Sequence, residues 1–262
     1  MMLSVARMVR LGVPVRGPEF DDGRCSPQLR RHIDLVAFMS EQGIPRHSRI
    51  LDVGCGPGWL ADRLQRAGYP DVAGADWLAP AEIKNQNLVH YRQVDFNAAG
   101  LSDYPAQSFD CVVCSDVLEH LENPAQMLSE IARVARPGGH VFVTIPNAFN
   151  IIERLKILFT GNSGRYKTEP PGSFGHITML PDNVMKSLLR RAGLRQVAVG
   201  KGYCLAGGLF LFSGRRFSRR LSYVLNLYIR RVDARPVDIE NPRGVEGLAQ
   251  PAAPLSKTPQ RM

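Results

Sequence analysis

Hydrophobic and polar positions along the chain follow two alternating patterns. Short apolar runs that fit buried strands lie at 49–53, 71–76, 89–94, 109–114 and 140–145. Between some of them, apolar residues recur at helical spacing, at about 26–42, 59–67 and 124–135. Strands that alternate with helices in this way predict an α/β fold, a doubly wound, mostly parallel sheet with helices on both faces.

The first strand is followed by a glycine turn, which is the main evidence for a ligand-binding site. Asp52 ends the strand, Gly54, Gly56 and Gly58 follow at alternate positions, and an amphipathic helix begins. Strand, glycine turn and helix are the parts of a nucleotide-binding crossover. A dinucleotide fingerprint would have a third glycine where Trp59 stands, and the Asp52 carboxylate would repel a pyrophosphate but accept an ammonium or a hydroxyl. A plain strand-to-helix turn remains the alternative.

Polar residues end the other predicted strands as well. Asp76 follows the second strand, Asp95 the third, and Ser115 with Asp116 the fourth. Ligands of open parallel sheets bind at this edge, where the strand order reverses. Any single carboxylate here could instead cap a helix, but the set indicates one crevice.

Several of these stretches match a known family in its own order. They are Leu-Asp-Val-Gly-Cys-Gly-Pro-Gly at 51–58, Gly-Ala-Asp at 74–76, Asp-Phe at 95–96, and the segments 109–121 and 128–146. Over residues 26–200 the chain resembles the class I S-adenosylmethionine-dependent methyltransferases, which have a Rossmann-like fold. Within them it is similar to the small-molecule enzymes that include ubiquinone-pathway O-methyltransferases.

The resemblance implies a set of S-adenosylmethionine-binding residues. The glycine turn would pack against the methionine portion and Asp52 would reach its ammonium, while Asp76 would accept the ribose hydroxyls and Asp95 the adenine amino group. Glu119 with His120 would be mostly architectural. The cofactor-binding residues predicted in this way are Asp52, Gly54, Cys55, Gly56, Gly58, Asp76, Trp77, Asp95, Phe96, Ser115 and Asp116.

The acceptor side is expected after the fifth strand, in a lid insertion at about 150–180. Ile151, Leu155 and Phe159 recur there at helical spacing, and a long loop ends at His176. His176 is the one candidate catalytic residue, either as a general base for a hydroxyl acceptor or as a residue that pins the lid. A helix from Pro181 to about residue 193 and a sixth strand at 194–199 complete this region.

The whole chain is predicted to have four parts, and the methyltransferase domain ends at residue 204. A flexible leader (1–25) precedes the methyltransferase domain (26–204), a basic amphipathic extension (205–233) follows it, and a disordered tail (234–262) ends the chain. In the extension, Phe217, Leu221, Val224, Leu225 and Tyr228 form a helical stripe bracketed by arginine pairs. That helix could lie on an anionic membrane through 213–231, or it could dock on the domain. The family's seventh, antiparallel strand is not placed.

The distribution of charge and the cysteine content limit the classes of binding partner and the cellular compartment that we expect. The net charge of +9 comes from three arginines in 1–18 and six in 205–231, and the rest of the chain is balanced, so nucleic acid is not an expected partner. The five scattered cysteines favour a reducing compartment. Cys111 and Cys114 lie in a predicted strand and point to opposite faces, and no metal site is expected. We expect no secretory signal, and a cytoplasmic protein that can contact the inner face of a membrane.

These observations predict an S-adenosylmethionine-dependent methyltransferase acting on a small-molecule or lipid- or glycan-linked acceptor by O-methylation. N- or C-methylation, an RNA or protein acceptor, and a non-catalytic cofactor-binding scaffold remain alternatives. The oligomeric state is not predicted.

Overall fold

The described part of the chain is built from nine strands and five α-helices. The computed structural model describes residues 27–85, 87–163, 175–200, 202–206, 209–213 and 224–232. The helices are α1 (Pro27–Glu41), α2 (Trp59–Arg66), α3 (Pro124–Val134), α4 (Ile151–Thr160) and α5 (Asp182–Arg191). The strands are β1 (Ile50–Val53), β2 (Val72–Asp76), β3 (Val89–Gln93), β4 (Phe109–Ser115), β5 (Ala135–Pro146), β6 (Leu194–Val199), β7 (Gly202–Ala206), β8 (Leu209–Ser213) and β9 (Val224–Arg231).

Seven of the strands form one sheet in the order β3-β2-β1-β4-β5-β9-β6. The pairs among β1 to β5 are parallel, and β9 runs antiparallel to both of its neighbours. The chain order reverses between β1 and β4, which is where parallel sheets of this kind bind ligands. The predicted fold class is confirmed. β7 and β8 form a separate antiparallel hairpin.

The core lies on both faces of the sheet. One buried cluster joins α1 and α2 to the sheet through residues such as Phe38 and Leu64, and the other joins α3 and α5 through residues such as Leu128 and Leu189. Successive residues of β4 alternate between the clusters, so that Cys111 belongs to one and Cys114 to the other. Both thiols are buried and free, as the sequence predicted.

The prediction of an amphipathic helix near the C-terminus is wrong for residues 224–231, the part of it that forms a long strand. Val224 to Arg231 is β9, hydrogen-bonded between β5 and β6. Since both faces of this strand are covered, its apolar residues need not alternate, and their spacing also fits a helix. β9 is the missing antiparallel strand, so the sheet extends beyond the predicted boundary at 204. Residues 224–229 are buried in the sheet and so are not presented to a membrane as a helix, while membrane contact through the rest of 213–231 stays a prediction.

Several predicted regions lie outside the described residues. They are the leader, the tail after residue 232, the lid residues 164–174, and Phe217 with Leu221 of the amphipathic stripe.

Helices long and apolar enough to cross a bilayer are absent from the described part of the chain.

Candidate functional site

The glycine turn after β1 is built so that side chains are excluded from it. Gly54, Gly56 and Gly58 have φ values of 73°, 52° and 94°, in the left-handed region that favours glycine. A Cβ on Gly54 would lie 2.2 Å from Val117 Cγ2, and one on Gly58 would lie 2.6 Å from Asn85 Cβ. A Cβ on Gly56 would meet open space. The turn therefore packs tightly on two sides and leaves its middle accessible to a ligand.

Asp76, at the end of β2, is bound to this turn. Its Oδ2 accepts a hydrogen bond from the Gly56 amide at 2.7 Å, and its Oδ1 accepts one from the Leu78 amide at 3.2 Å. A carboxylate offers about four acceptor positions. The two that remain suit a pair of hydroxyls, as on a ribose.

Asp52 lies beneath the turn and is almost fully buried. Its Oδ2 has no hydrogen-bond partner in the described part of the chain. Burial, and secondarily the charge of Asp76, raises the pKa of Asp52 to about 8. Buried polar atoms are nearly always paired in native proteins. An ammonium group placed here would supply both a donor and the opposite charge.

A cleft of about 290 Å³ opens at the carboxyl ends of β1, β2 and β4. Six predicted cofactor residues line it, together with four that were not predicted to bind the cofactor. The predicted ones are Gly54, Asp76, Trp77, Asp95, Phe96 and Asp116, and the others are Asn97, Val117, His120 and Leu121.

The remaining predicted cofactor residues border the cleft without lining it. Asp52, Gly56 and Gly58 are placed as described above, and Ser115 ends β4. The Cys55 side chain is buried, with its Sγ 3.5 Å from the Gly56 carbonyl oxygen. Burial raises the pKa of the Cys55 thiol. We therefore expect Cys55 to reach a ligand only through its backbone.

The outer end of the cleft is open. Trp77 is 51% exposed, although nearly all large apolar side chains of the sheet are buried. Asp95 is exposed, and its Oδ1 accepts a hydrogen bond from the Asn97 amide at 2.9 Å, which fixes the carboxylate at the cleft edge. An aromatic plane and a carboxylate at this end suit a purine base with an exocyclic amino group.

Arg31 of α1 is a site residue that the sequence prediction missed. Its Nη1 lies 2.7 Å from Asp116 Oδ2, which joins α1 to the wall of the cleft. Asp116 itself has a φ of 56°, which is uncommon for a residue other than glycine and typical of functional sites. No local pattern could identify Arg31, because its role depends on where α1 packs.

Glu119, His120 and His176 form a row beside the cleft. The amides of Ile177 and Thr178 donate to the Glu119 carbonyl, which fixes the end of the lid here. His176 Nε2 lies 3.9 Å from Glu119 Oε1, and the rings of His120 and His176 meet edge to face at 4.8 Å. His120 lines the cleft. The structure therefore places His176 one ring away from the cleft.

The same three side chains could in principle hold a metal ion. Their potential ligand atoms lie within 4.8 Å of one another. Ligands about 2.0–2.1 Å from a tetrahedral ion are about 3.3 Å apart. The 3.9 Å between His176 Nε2 and Glu119 Oε1 is wider than this spacing, and we assign no metal ligand.

Comparison with known proteins places the chain among methyltransferases. A family model described as a methyltransferase domain matches residues 26–199. A ubiquinone biosynthesis O-methyltransferase of Xanthomonas axonopodis pv. citri is 30% identical over 180 residues, which cover 66% of this chain and 74% of the relative. The enzyme of the same name from Paracidovorax citrulli is 40% identical over 108 residues, but these cover 38% of this chain and 44% of the relative.

Solved structures share the fold at low identity. The 1,6-didemethyltoxoflavin-N1-methyltransferase of Burkholderia thailandensis, solved with S-adenosylhomocysteine, has a TM-score of 0.52 and 16% identity, with 87% of this chain and 88% of that chain covered. The [4+2]-cyclase SpnF has a TM-score of 0.53 and 19% identity, with 81% and 86% covered. Since one neighbour is a cyclase, the fold by itself does not fix the reaction.

Proposed function

Because the chain belongs to the methyltransferase-domain family and is an S-adenosylmethionine-dependent methyltransferase, we propose that it methylates a hydroxyl group of a small-molecule or lipid-linked acceptor. The observation that carries the proposal is the row of Glu119, His120 and His176 beside the cleft, of which His120 lines the cleft. The name of the relatives, ubiquinone biosynthesis O-methyltransferase, supports oxygen as the acceptor atom.

The cofactor side of the site is assigned to residues that fit the cofactor's polar groups. Asp52 would bind the ammonium, Asp76 the ribose hydroxyls, and Asp95 with Trp77 the adenine. Two observations support this assignment: Asp52 Oδ2 has no hydrogen-bond partner among the described residues, and the surface over Gly56 is open. S-adenosylmethionine, when bound, supplies a methyl group on a sulfonium, which is already a good leaving group.

The protein's own task is then to orient the acceptor and remove its proton. His176 lies one ring away from the cleft, so it takes the proton from the acceptor hydroxyl through one bridging water as the oxygen forms its bond to the methyl carbon. The carboxylate of Glu119, 3.9 Å from His176 Nε2, favours the charged imidazolium that results. The proton then passes to water. The edge-to-face contact with His120 fixes the orientation of the His176 ring.

The proposal is tested by methyl transfer from labelled S-adenosylmethionine to matched phenol, aniline and thiophenol acceptors. We expect transfer to the phenol. His176→Gln should lower kcat about 10²–10⁴-fold while leaving cofactor affinity unchanged. The loss should shrink at high pH, where the phenol ionises without a base. His47→Gln, which changes an exposed histidine between α1 and β1, is the matched control.

The other outcomes separate the alternatives. Transfer to nitrogen or sulfur in place of oxygen would overturn O-methylation. A loss that is the same at every pH, with a raised KM, would show that His176 pins the lid. Normal turnover of His176→Gln would exclude both roles. Cofactor binding without transfer to any acceptor would favour a non-catalytic scaffold.

A further inference from the structure

Strand β6 forms one edge of the seven-stranded sheet, and one of its sides is unpaired in the described part of the chain. Its strand partner there is β9, to which it runs antiparallel. Val197 of β6 is apolar and yet 51% exposed. An edge strand with an unpaired side presents a row of backbone N–H and C=O groups to which another extended chain can bind. The edge of β6 therefore has the backbone groups that a further strand needs.

A cavity of about 460 Å³ lies beside this edge, between β6 and α5. Its volume is in the range of ligand sites. Leu189 of α5 and Leu194 of β6 line it with apolar side chains. Gln196 lines it as well, and the buried Oε1 of this residue has no hydrogen-bond partner among the described residues. Because buried polar atoms are nearly always paired, this oxygen suits a donor on a ligand, such as a backbone amide.

Three exposed cations border the same cavity. Lys186 and Arg190 are four residues apart on α5 and so share one face of the helix, and Arg195 follows on β6. Lys186 has an acidic partner, since its Nζ lies 2.8 Å from Asp182 Oδ2. In the described part of the chain neither arginine forms an ion pair, and Arg195 lies opposite Arg230 of β9. This surplus of positive charge favours an anionic ligand.

The cations and the open edge together indicate the kind of ligand. Pairing of β6 with a second copy of itself would bring the cations of both copies together, and like charges across a strand pair are destabilising. An acidic extended peptide fits instead, because its backbone can pair with β6 while its carboxylates contact the arginines. Side chains two residues apart lie on the same face of an extended chain, about 6.6 Å from each other. An apolar residue over the leucines, flanked at this spacing by acids, matches the cavity and its border.

We propose that the β6 edge and its basic cavity bind an acidic, extended segment of a partner protein by strand addition. The site is separate from the cleft. β6 runs parallel to β5, because both are antiparallel to β9. The cavity is lined by residues 194–196 at the start of β6, whereas the cleft opens at the carboxyl ends of β1, β2 and β4. The proposal therefore does not depend on the reaction proposed above.

The test is fluorescence anisotropy of the full chain with a labelled peptide that has blocked termini, Thr-Glu-Thr-Leu-Thr-Glu-Thr. The wild type should bind it, and more weakly as salt rises from about 0.1 M to about 1 M, where screening shortens from about 10 Å to about 3 Å. Arg190→Glu/Arg195→Glu should bind it at least about ten-fold more weakly, because two attractive pairs become repulsive. The lysine peptide Thr-Lys-Thr-Leu-Thr-Lys-Thr should bind this variant about ten-fold better than it binds the wild type.

Arg92→Glu is the matched control, because Arg92 is also an exposed arginine on an edge strand, β3 at the other edge of the sheet. It should bind the acidic peptide like the wild type. Each variant should also bind S-adenosylhomocysteine normally, which shows that the sheet is folded. Hydrogen exchange of the wild type needs no variant, and the β6 amides should exchange more slowly when the peptide is added.

Two further peptides separate strand addition from attraction of charge alone. One is N-methylated at its glutamates and leucine, and the other at its threonines. Alternate amides of a strand point to opposite edges, so at least one of these peptides should bind about ten-fold more weakly than the parent, because it cannot donate to β6.

Five results would overturn the proposal. They are a wild type that does not bind the acidic peptide, a double variant that binds it like the wild type, β6 amides whose exchange does not respond to the peptide, two methylated peptides that bind like the parent, and a wild-type dimer that the double variant dissociates. The last result would assign the edge to a second copy of the chain. Tighter binding of a single-stranded oligonucleotide than of the peptide would also overturn it, and would assign the cations to nucleic acid.

Discussion

Replacement of Asp52 by asparagine should abolish a proton release that accompanies cofactor binding. The pKa of about 8 means that about nine in ten free molecules carry a protonated Asp52 at pH 7. An ammonium group against this carboxyl favours its ionised form. Binding of S-adenosylhomocysteine, which keeps that ammonium, should therefore release about 0.9 proton at pH 7 from the wild type.

Calorimetry in two buffers of different ionisation enthalpy measures this release. The wild-type value should fall towards zero above about pH 9, where Asp52 is already ionised in the free protein. Asp52→Asn should release no proton at this site at any pH and should bind about ten- to one hundred-fold more weakly, the loss of a charged hydrogen bond of about 1.5–3 kcal/mol. Asp103→Asn, which changes an exposed acid before β4, should match the wild type.

The same residue should make the free protein less stable at neutral pH. The folded-state pKa of Asp52 is raised above its ordinary value, so between about pH 4 and about pH 8 the folded chain holds a proton that the unfolded chain has lost. The unfolding free energy therefore falls as pH rises through this window. Asp52→Asn removes this slope, and at pH 7 it should gain at most about 4 kcal/mol.

Denaturant unfolding across this pH range completes the test. A variant with the wild-type pH slope, and with wild-type proton release on binding, would show that Asp52 is ionised in the free protein. The argument from its burial would then be refuted.

Two further substitutions test the glycine turn and the carboxylate bound to it. Asp76→Ala should weaken S-adenosylhomocysteine binding about ten- to one hundred-fold by calorimetry, and unchanged affinity would remove Asp76 from the ribose site. Gly54→Ala should lower the unfolding free energy by about 2–5 kcal/mol, because its Cβ meets Val117 and its φ is positive. Gly43→Ala, which has a positive φ but open space around it, should cost only about 1–2 kcal/mol, and equal losses would contradict the packing argument.

The sheet and the glycine turn could be predicted because their signals are local. β1, β2 and β4 are apolar runs closed by a polar residue, and a parallel sheet gathers such ends at one edge. β9 could not be predicted in this way. Val224 and Ile229 are buried in a strand covered on both faces, so the polar alternation that marks a half-exposed strand is missing. The one buried polar residue within it, Asn226, accepts a hydrogen bond from Thr144, a partner that the local sequence does not reveal.

The site was predicted where one strand end determines the residue's place, and missed where two distant segments meet. Asp76 and Asp95 follow from their strands. Arg31 and His120 join the cleft only because α1 packs over β4 and because the lid binds the segment after β4. The helical spacing of Ile151, Leu155 and Phe159 correctly predicted α4, but spacing alone does not reveal that these side chains are exposed.

Because β9 lies between β5 and β6, the sheet cannot be completed during synthesis until residues 224–231 have been made. β5 and β6 are complete once residue 199 has been made, yet the strand that joins them begins at Val224. At about 5–20 residues per second, the nascent chain holds an open β5 edge for seconds. Open edges of this kind recruit other strands. A premature stop before residue 224 would therefore leave β5 and β6 without the strand that joins them and expose both to other chains, although the strands that form the cleft would already have been made.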